Sequence, residues 1–355
     1  MNLLMLPRYS PLGASSRLRM YQYLPGLREG GIHASVQPLL SNEDVERLNH
    51  GKRRGASVIA AYFSRIRAIV ESKKFDLVWL EKELLPWAPY FLERLLMGAQ
   101  VPFAVDFDDA IFHNYDKHRN PFLKLAFRGK IESVMRHASV VIAGNEYIAN
   151  RAIEAGSASV ELVPTVVDTE RYVPRQERGG VIRVCWMGSP ATAHYLRLLD
   201  SATRMIASSH EVTFHAVGAR PDQVAGTLFE SIPWTEESEC ELLAGMDIGI
   251  MPLTDGPWER GKCGYKLVQY MAAGLPVVAS PVGANAQIVI QGKTGFLADS
   301  ATAWAESLEV LISNSDLRRA FGAAGRLRAV SIYSLNAQLP RITSILHRAA
   351  RKGIQ

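Results

Sequence analysis

Cysteine is scarce: three in 355 residues, Cys185, Cys240 and Cys263, scattered and without a CxxC pair or neighbouring histidines at ligand spacing. That excludes a disulfide framework and a zinc site and fits a reducing, cytoplasmic environment. No run of about 18 apolar residues occurs, so no membrane-spanning helix is expected. The opening "MNLLMLPRYS" lacks the basic start and long apolar core of a secretory signal. Charge of one sign is also lacking. The net +5 is divided between the halves, with 22 basic and 19 acidic residues through Arg171, which argues against a nucleic-acid binder with cations and stacking aromatics gathered on one face. With 48% hydrophobic and 21% charged residues, disorder is excluded as well.

What is present is length and a repeated strand–helix rhythm. The chain exceeds one ordinary core and suits two domains of about 150 to 180 residues each. Short apolar runs bounded by turn residues begin at 2, 34, 76, 102, 139 and 160, and again at 181, 212, 247, 275 and 295, with helical patterns between them, as over 17–28 and 121–136. Continuous apolar strands alternating with helices predict an α/β chain of two Rossmann-like, doubly wound parallel-sheet domains. The polar stretch "DTERYVPRQERGG", 168–180, is the expected join. Residues 1–172 then form one domain and 173–335 a second, and a helix over 336–355 returns toward the first. Open parallel sheets bind ligands at the carboxyl ends of their strands, so two such edges facing a cleft are expected to hold the site.

The stretch "ERGKCGYKLVQYMAAGLPVVASPVG", 259–283, places two lysines at the mouth of a short helix over 264–273, which Gly274 stops and Pro276 prevents from continuing. A helix N-terminus carries partial positive charge and favours acidic residues, so Lys262 and Lys266 there cost roughly 0.3 to 1 kcal/mol unless an anion completes the site. Either a phosphate binds, with glycine backbone approaching it, or both side chains extend into water.

"VELVPTVVDTERYVP", "GYKLVQYMAAGLPVVASPVGANAQIVIQGKTGFL" and "LRRAFGAAGRLRAVSIYS" resemble the interdomain segment, the donor-site helix with its following strand and loop, and the closing helices of family-4 retaining glycosyltransferases of the GT-B fold. "GASSRLRMYQYLPGL", "DFDDAIF", "WMGSPATAHYL" and "KCGYKLVQYMAAG" are similar to the bacterial cell-surface polysaccharide branch. The resemblance implies a metal-independent enzyme that needs no cofactor and moves a sugar, with retention, from a nucleotide-sugar to a saccharide or lipid-linked acceptor. Lys266 and Lys262 would then neutralise the departing diphosphate beside Gly264. The family's two glutamates fall here on Gly261 and Gln269. Gln269 can still bond ribose hydroxyls through its amide, and Glu259 or Asp255 is the candidate replacement for the first. A non-catalytic nucleotide-sugar-binding subunit and a sugar-nucleotide epimerase of the same fold are the competing functions.

In "CWMGSPATAHYL", Gly188 opens a turn that Ser189 or Thr192 could cap, offering a second set of N–H groups to the diphosphate; His194 is expected on the helix surface. "VDFDDAIF" carries Asp106, Asp108 and Asp109 after a strand: carboxylates for acceptor or donor hydroxyls, a structural network, or a divalent-metal DxD. In "YSPLGASSRLR", Gly13 would leave room for sugar or acceptor, and Ser16, Arg17 and Arg19 top the first helix, where Arg17 and Arg19 suggest an acceptor phosphate or a solvated face. Glu81 and Glu83 receive no role. Finally, 52–74 holds seven basic residues against Glu71 beside the apolar stripe Val58, Ile59, Tyr62, Phe63, Ile66, Ile69 and Val70. It is either a core-packed helix or a peripheral contact with the anionic inner face of the cell membrane.

Overall fold

The computed structural model describes residues 1–49, 57–97, 101–174 and 179–352. They divide into two compact units. Unit 1 comprises 1–165, 261–263 and 338–355, and unit 2 comprises 166–260 and 264–337.

Unit 1 is built on β1 (Asn2–Leu6), β2 (His33–Val36), β3 (Leu77–Glu81), β4 (Phe103–Phe107), β5 (Val140–Ala143) and β6 (Val160–Leu162). They pair in parallel in the order β2-β1-β3-β4-β5-β6. Every residue of β3, β4 and β5 is buried. Helices cover both faces of such a sheet, which is why these strands read as unbroken apolar runs. The order reverses between β1 and β3, with Leu6 beside Leu80, so the crevice beyond those two strand ends is the unit's topological switch point.

Unit 2 repeats the plan with β7 (Ile182–Met187), β8 (Val212–Val217), β9 (Phe229–Ile232), β10 (Ile248–Met251), β11 (Val277–Ala279) and β12 (Gly295–Leu297), all parallel in the order β12-β11-β10-β7-β8-β9. Its switch point lies beyond β7 and β10. The long helix Ser315–Ile332 approaches closely because Gly322 and Gly325 face Gly274 and Met271.

Three expectations change. The pattern over 17–28 is two helices, Ala14–Arg19 and Leu24–Glu29, with a 3-10 turn at Tyr21–Tyr23 and Pro25 opening the second. The pattern over 121–136 breaks at Gly129, whose φ of +76° separates Pro121–Phe127 from Lys130–His137. The first division falls after Thr165 rather than after Tyr172, because 166–172 is tied into unit 2: Val167 bridges to Ser334, and the Arg326 guanidinium donates to the carbonyls of Thr169 and Tyr172. The helix Leu335–Lys352 belongs from Gln338 onward with unit 1, where Arg341 and Arg348 pair with Glu161.

The expected basic and apolar helix is present as Ser57–Val70, but its stripe divides. Tyr62, Ile66 and Ile69 pack against the unit 1 core, whereas Ile59, Phe63 and Val70 are exposed. Arg65 does not belong to a solvent-facing basic face: it is 3% exposed and donates to the Pro7 carbonyl at 2.6 Å. Lys52, Arg53 and Arg54 lie outside the described residues. Among the described residues no helix is long and apolar enough to cross a membrane.

Candidate functional site

At the unit 2 switch point β7 ends at Met187, and the Gly188 amide donates to the Val217 carbonyl at 2.9 Å. A Cβ at 188 would collide with the Lys266 side chain and the Trp186 ring. Glycine therefore lets Lys266 lie across the strand end, its Nζ 5.3 Å from the centre of the Trp186 ring, a geometry that holds a cation in place. Lys266 is the second residue of the helix Tyr265–Ala272, which Gly264 enters at φ +64°. Any Cβ at 264 would be strained there and would meet Ile288. The sequence thus brings Gly188, Gly264 and Lys266 together around one helix mouth.

Other donor-side residues are placed differently. The segment 190–199 winds as a 3-10 helix started by Pro190, and the Ser189 side chain makes no capping bond. Thr192 is not the cap either, since its hydroxyl donates back to the Ser189 carbonyl at 3.0 Å. His194 is exposed, as expected. Gln269 is buried, and its amide donates to the Tyr172 hydroxyl at 3.3 Å, which donates to Glu239 at 2.6 Å. Glu259 accepts from the Tyr195 hydroxyl. Asp255 is held by Arg260 through bonds of 2.7 and 2.9 Å.

At the unit 1 switch point the segments after β1, β3 and β4 converge. Glu81 closes β3 and accepts from both Ser15, at 2.7 Å, and Ser16. Lys82 follows at φ +65°, a left-handed conformation that costs a side-chain-bearing residue about 1 to 2 kcal/mol. Its ammonium lies 2.8 Å from Asp108 and 2.9 Å from the Ser15 hydroxyl, with Glu81 at 3.8 Å and Asp109 at 4.0 Å. Burial would raise the Asp108 carboxyl, but Lys82, Ser15 and Arg19 more than offset this and hold it below the usual range. Asp109 has the opposite fate: burial and the neighbouring Asp108 charge push it up to about 6 against Lys82 and Lys262. The Asp109 side chain remains 36% exposed, compared with 13% for Asp108.

Several acceptor-side expectations are corrected. The room beside Gly13 is filled by the Tyr9 side chain. Ser16 is buried, accepting from the Tyr9 amide at 2.9 Å while it donates to Glu81, so it does not line open space. Arg19 is not solvated and needs no acceptor phosphate: it pairs with Asp106 at 2.7 and 3.1 Å, and both are buried. That pairing makes Asp106 a structural carboxylate. Arg17 reaches the Pro11 carbonyl at 3.2 Å. Asp106 and Asp108 each already carry a side-chain cation, and among the described residues no group of three or more His, Cys, Asp or Glu is arranged for a metal ion.

The glycine at 261, where the resemblance implies a glutamate, has a steric explanation. Residues 261–263 pack with unit 1, where Asn145 donates to the Gly261 and Lys262 carbonyls at 2.8 and 3.0 Å and the Cys263 thiol donates to the Asp108 carbonyl at 3.0 Å. A Cβ at 261 would strike Ala110. Sequence reasoning missed Lys82, Ser15, Asn145 and Trp186. The signal for Lys82 was present in "EKE", charge placed directly after a buried strand.

Residues 181–314 match the family model described as "Glycosyl transferases group 1", and that stretch is a glycosyl transferase domain. A phosphatidyl-myo-inositol mannosyltransferase of Mycobacterium leprae is 36% identical over 92 residues, covering 25% of this chain and 24% of that protein; the chain thus aligns with about a quarter of that relative's length. The structure of Anabaena HepE with UDP and glucose superposes with a TM-score of 0.72 at 16% identity, covering 98% of this chain and 99% of that one. The sucrose-phosphate synthase of Thermosynechococcus elongatus superposes with a TM-score of 0.73 at 13% identity, covering 99% and 100%. The fold is that of the GT-B glycosyltransferases.

Proposed function

We propose that this chain transfers a glycosyl group, with retention, from a nucleoside diphosphate sugar bound on unit 2 to a saccharide or lipid-linked acceptor hydroxyl bound on unit 1. The observation that carries the reading is Lys266, fixed over Trp186 and Gly188 at a helix mouth and a switch point together, where a cation at the positive end of a helix suits a diphosphate. In the step, the bond from the anomeric carbon to the diphosphate oxygen breaks and a bond to the acceptor oxygen forms. The acceptor proton passes to the departing diphosphate. Lys266 and the positive end of its helix stabilise the charge that develops there, so no metal is required. Gly188, Ser189, Thr192, Gly264 and Glu259 surround the donor on this reading, while Gln269, bonded to the Tyr172 hydroxyl, lies buried behind them. Asp109 accepts a substrate hydroxyl and Asp108 supports it.

HepE was solved with UDP, so uridine diphosphate sugars are the first donors to test. Purified protein incubated with labelled UDP-glucose and a panel of saccharide and polyprenyl-phosphate sugar acceptors should release UDP and label one acceptor class. UDP binding without transfer or hydrolysis of any donor would instead favour the binding-subunit reading. Interconversion of donor sugars without an acceptor would favour the epimerase. A lipid-linked acceptor would place the chain at the inner face of the cell membrane, where the exposed Ile59 and Phe63 supply apolar contact.

A further inference from the structure

We propose that Lys82 is a positioning residue for the reaction: a buried cation, held in a left-handed backbone conformation, that fixes Asp108 and presents Asp109 to a substrate hydroxyl. This inference rests on the glycosyl-transfer reading for what Asp109 contacts, but the geometry behind it stands alone.

The backbone supplies the first observation. Lys82 and Trp87 are the positive-φ residues other than glycine among the described residues, and both lie in the segment that leaves β3. Glycine is the usual occupant of such a position. A lysine kept there, with its side chain 5% exposed, reflects a demand for the ammonium rather than for the turn. Strain of this kind persists where the surroundings over-determine it, commonly at functional sites.

The second observation is what surrounds the ammonium. Glu81 from β3, Ser15 from the segment after β1, and Asp108 and Asp109 from the segment after β4 all lie within 4.0 Å of it. Lys82 thereby joins the ends of three strands at the switch point. It spends its short contacts on Asp108 and Ser15 and leaves Asp109 at 4.0 Å, the more exposed of the two carboxylates. The charged groups facing Asp109 are Asp108 on its own segment, Lys82 and Glu81 from β3, and Lys262 from 261–263. Without Lys82, Asp108 and Asp109 would compete for one proton, as adjacent carboxylates do. With it, Asp108 stays ionised and Asp109 titrates separately, free to accept a hydroxyl hydrogen bond.

The test reads the carboxylates directly. In full-length protein with ¹³C-labelled aspartate, assigned by Asp109→Asn and Asp108→Asn, Asp109 should titrate near 6 and Asp108 well below it. Lys82→Met should raise the proton affinity of the pair about tenfold or more, one pKa unit or beyond. Lys82→Arg, which keeps the cation, should restore most of the separation. Should the Met variant fail to fold, Lys82→Gly removes the cation while relieving the left-handed strain. Titrations unmoved in Lys82→Gly, or Met and Arg variants that behave alike, would overturn the proposal. UDP affinity measured by calorimetry should be the same in every variant, since the proposed nucleotide site is on unit 2. Failure of the wild type to bind UDP would refute the donor assignment while leaving the carboxylate result intact. With a working donor, Lys82→Met should lower kcat more than it changes the KM for UDP-sugar.

Discussion

At Lys266, a single ammonium is held by an aromatic face below and by the absence of a side chain at Gly188 beside it. Lys266→Ala should therefore leave the fold intact and lower turnover by about 10² to 10³, the usual loss for one charge-assisted contact made in the transition state; steady-state kinetics with UDP-sugar checks it. Gly188→Ala should reproduce much of that loss by displacing the lysine. Asp109 gives a pH signature. Its ionised form is the one that accepts a hydroxyl, and its carboxyl is raised to about 6, so kcat/KM should be level above that value and fall tenfold per unit below it. Asp109→Asn should be slow and lose this acid limb. The places of Lys266 at a helix mouth and of Asp109 after a strand were both legible. Asp106 and Arg19 were misassigned because a sequence does not say which carboxylate meets which guanidinium, and 87 positions separate this pair.

At the scale of elements, the helix Tyr265–Ala272 was readable from end to end: Gly264 and Gly274 take φ of +64° and +73° where its start and stop were expected. Gly264→Ala should cost at least about 1 to 2 kcal/mol through the left-handed strain alone, lowering the melting temperature of unit 2 by a few degrees in calorimetry. Eleven of the twelve strands were legible as apolar runs. β9 was not, because Phe229–Ile232 is an edge strand with half-exposed positions and carries too few apolar residues to stand out. The helix Ser57–Val70 was legible as a helix, but its contacts were not. With Arg65 buried and Arg67 paired to Glu71, membrane attraction there depends on Ile59 and Phe63 together with neighbouring cations. Co-sedimentation with vesicles containing anionic lipid should be lost in Ile59→Ser/Phe63→Ser and should weaken as salt rises. Equal partition onto neutral and anionic vesicles would rule out the electrostatic part.

At the scale of the whole molecule, a ligand that binds only the folded chain stabilises it by mass action, by about 2.7 kcal/mol at one hundred times its Kd. UDP should thus raise the unfolding temperature, and excess EDTA should not diminish that rise or the rate of transfer; activity restored by Mg²⁺ after EDTA would return the Asp106–Asp109 group to a metal role. The sequence by itself determined the two doubly wound sheets, since buried parallel strands must be continuously apolar and their connections helical, and it determined the helix mouth with its glycines and lysine, since local backbone geometry restricts which residues fit. Only the tertiary structure decided which charges cancel. Arg19 neutralises Asp106, Arg65 is buried at the Pro7 carbonyl, and the Lys82 ammonium sits among Glu81, Asp108 and Asp109. It also decided that Gly261 is glycine because Ala110 occupies the place of a side chain. Pairings of this kind depend on distances between strand ends far apart in the chain, which periodicity and composition do not encode.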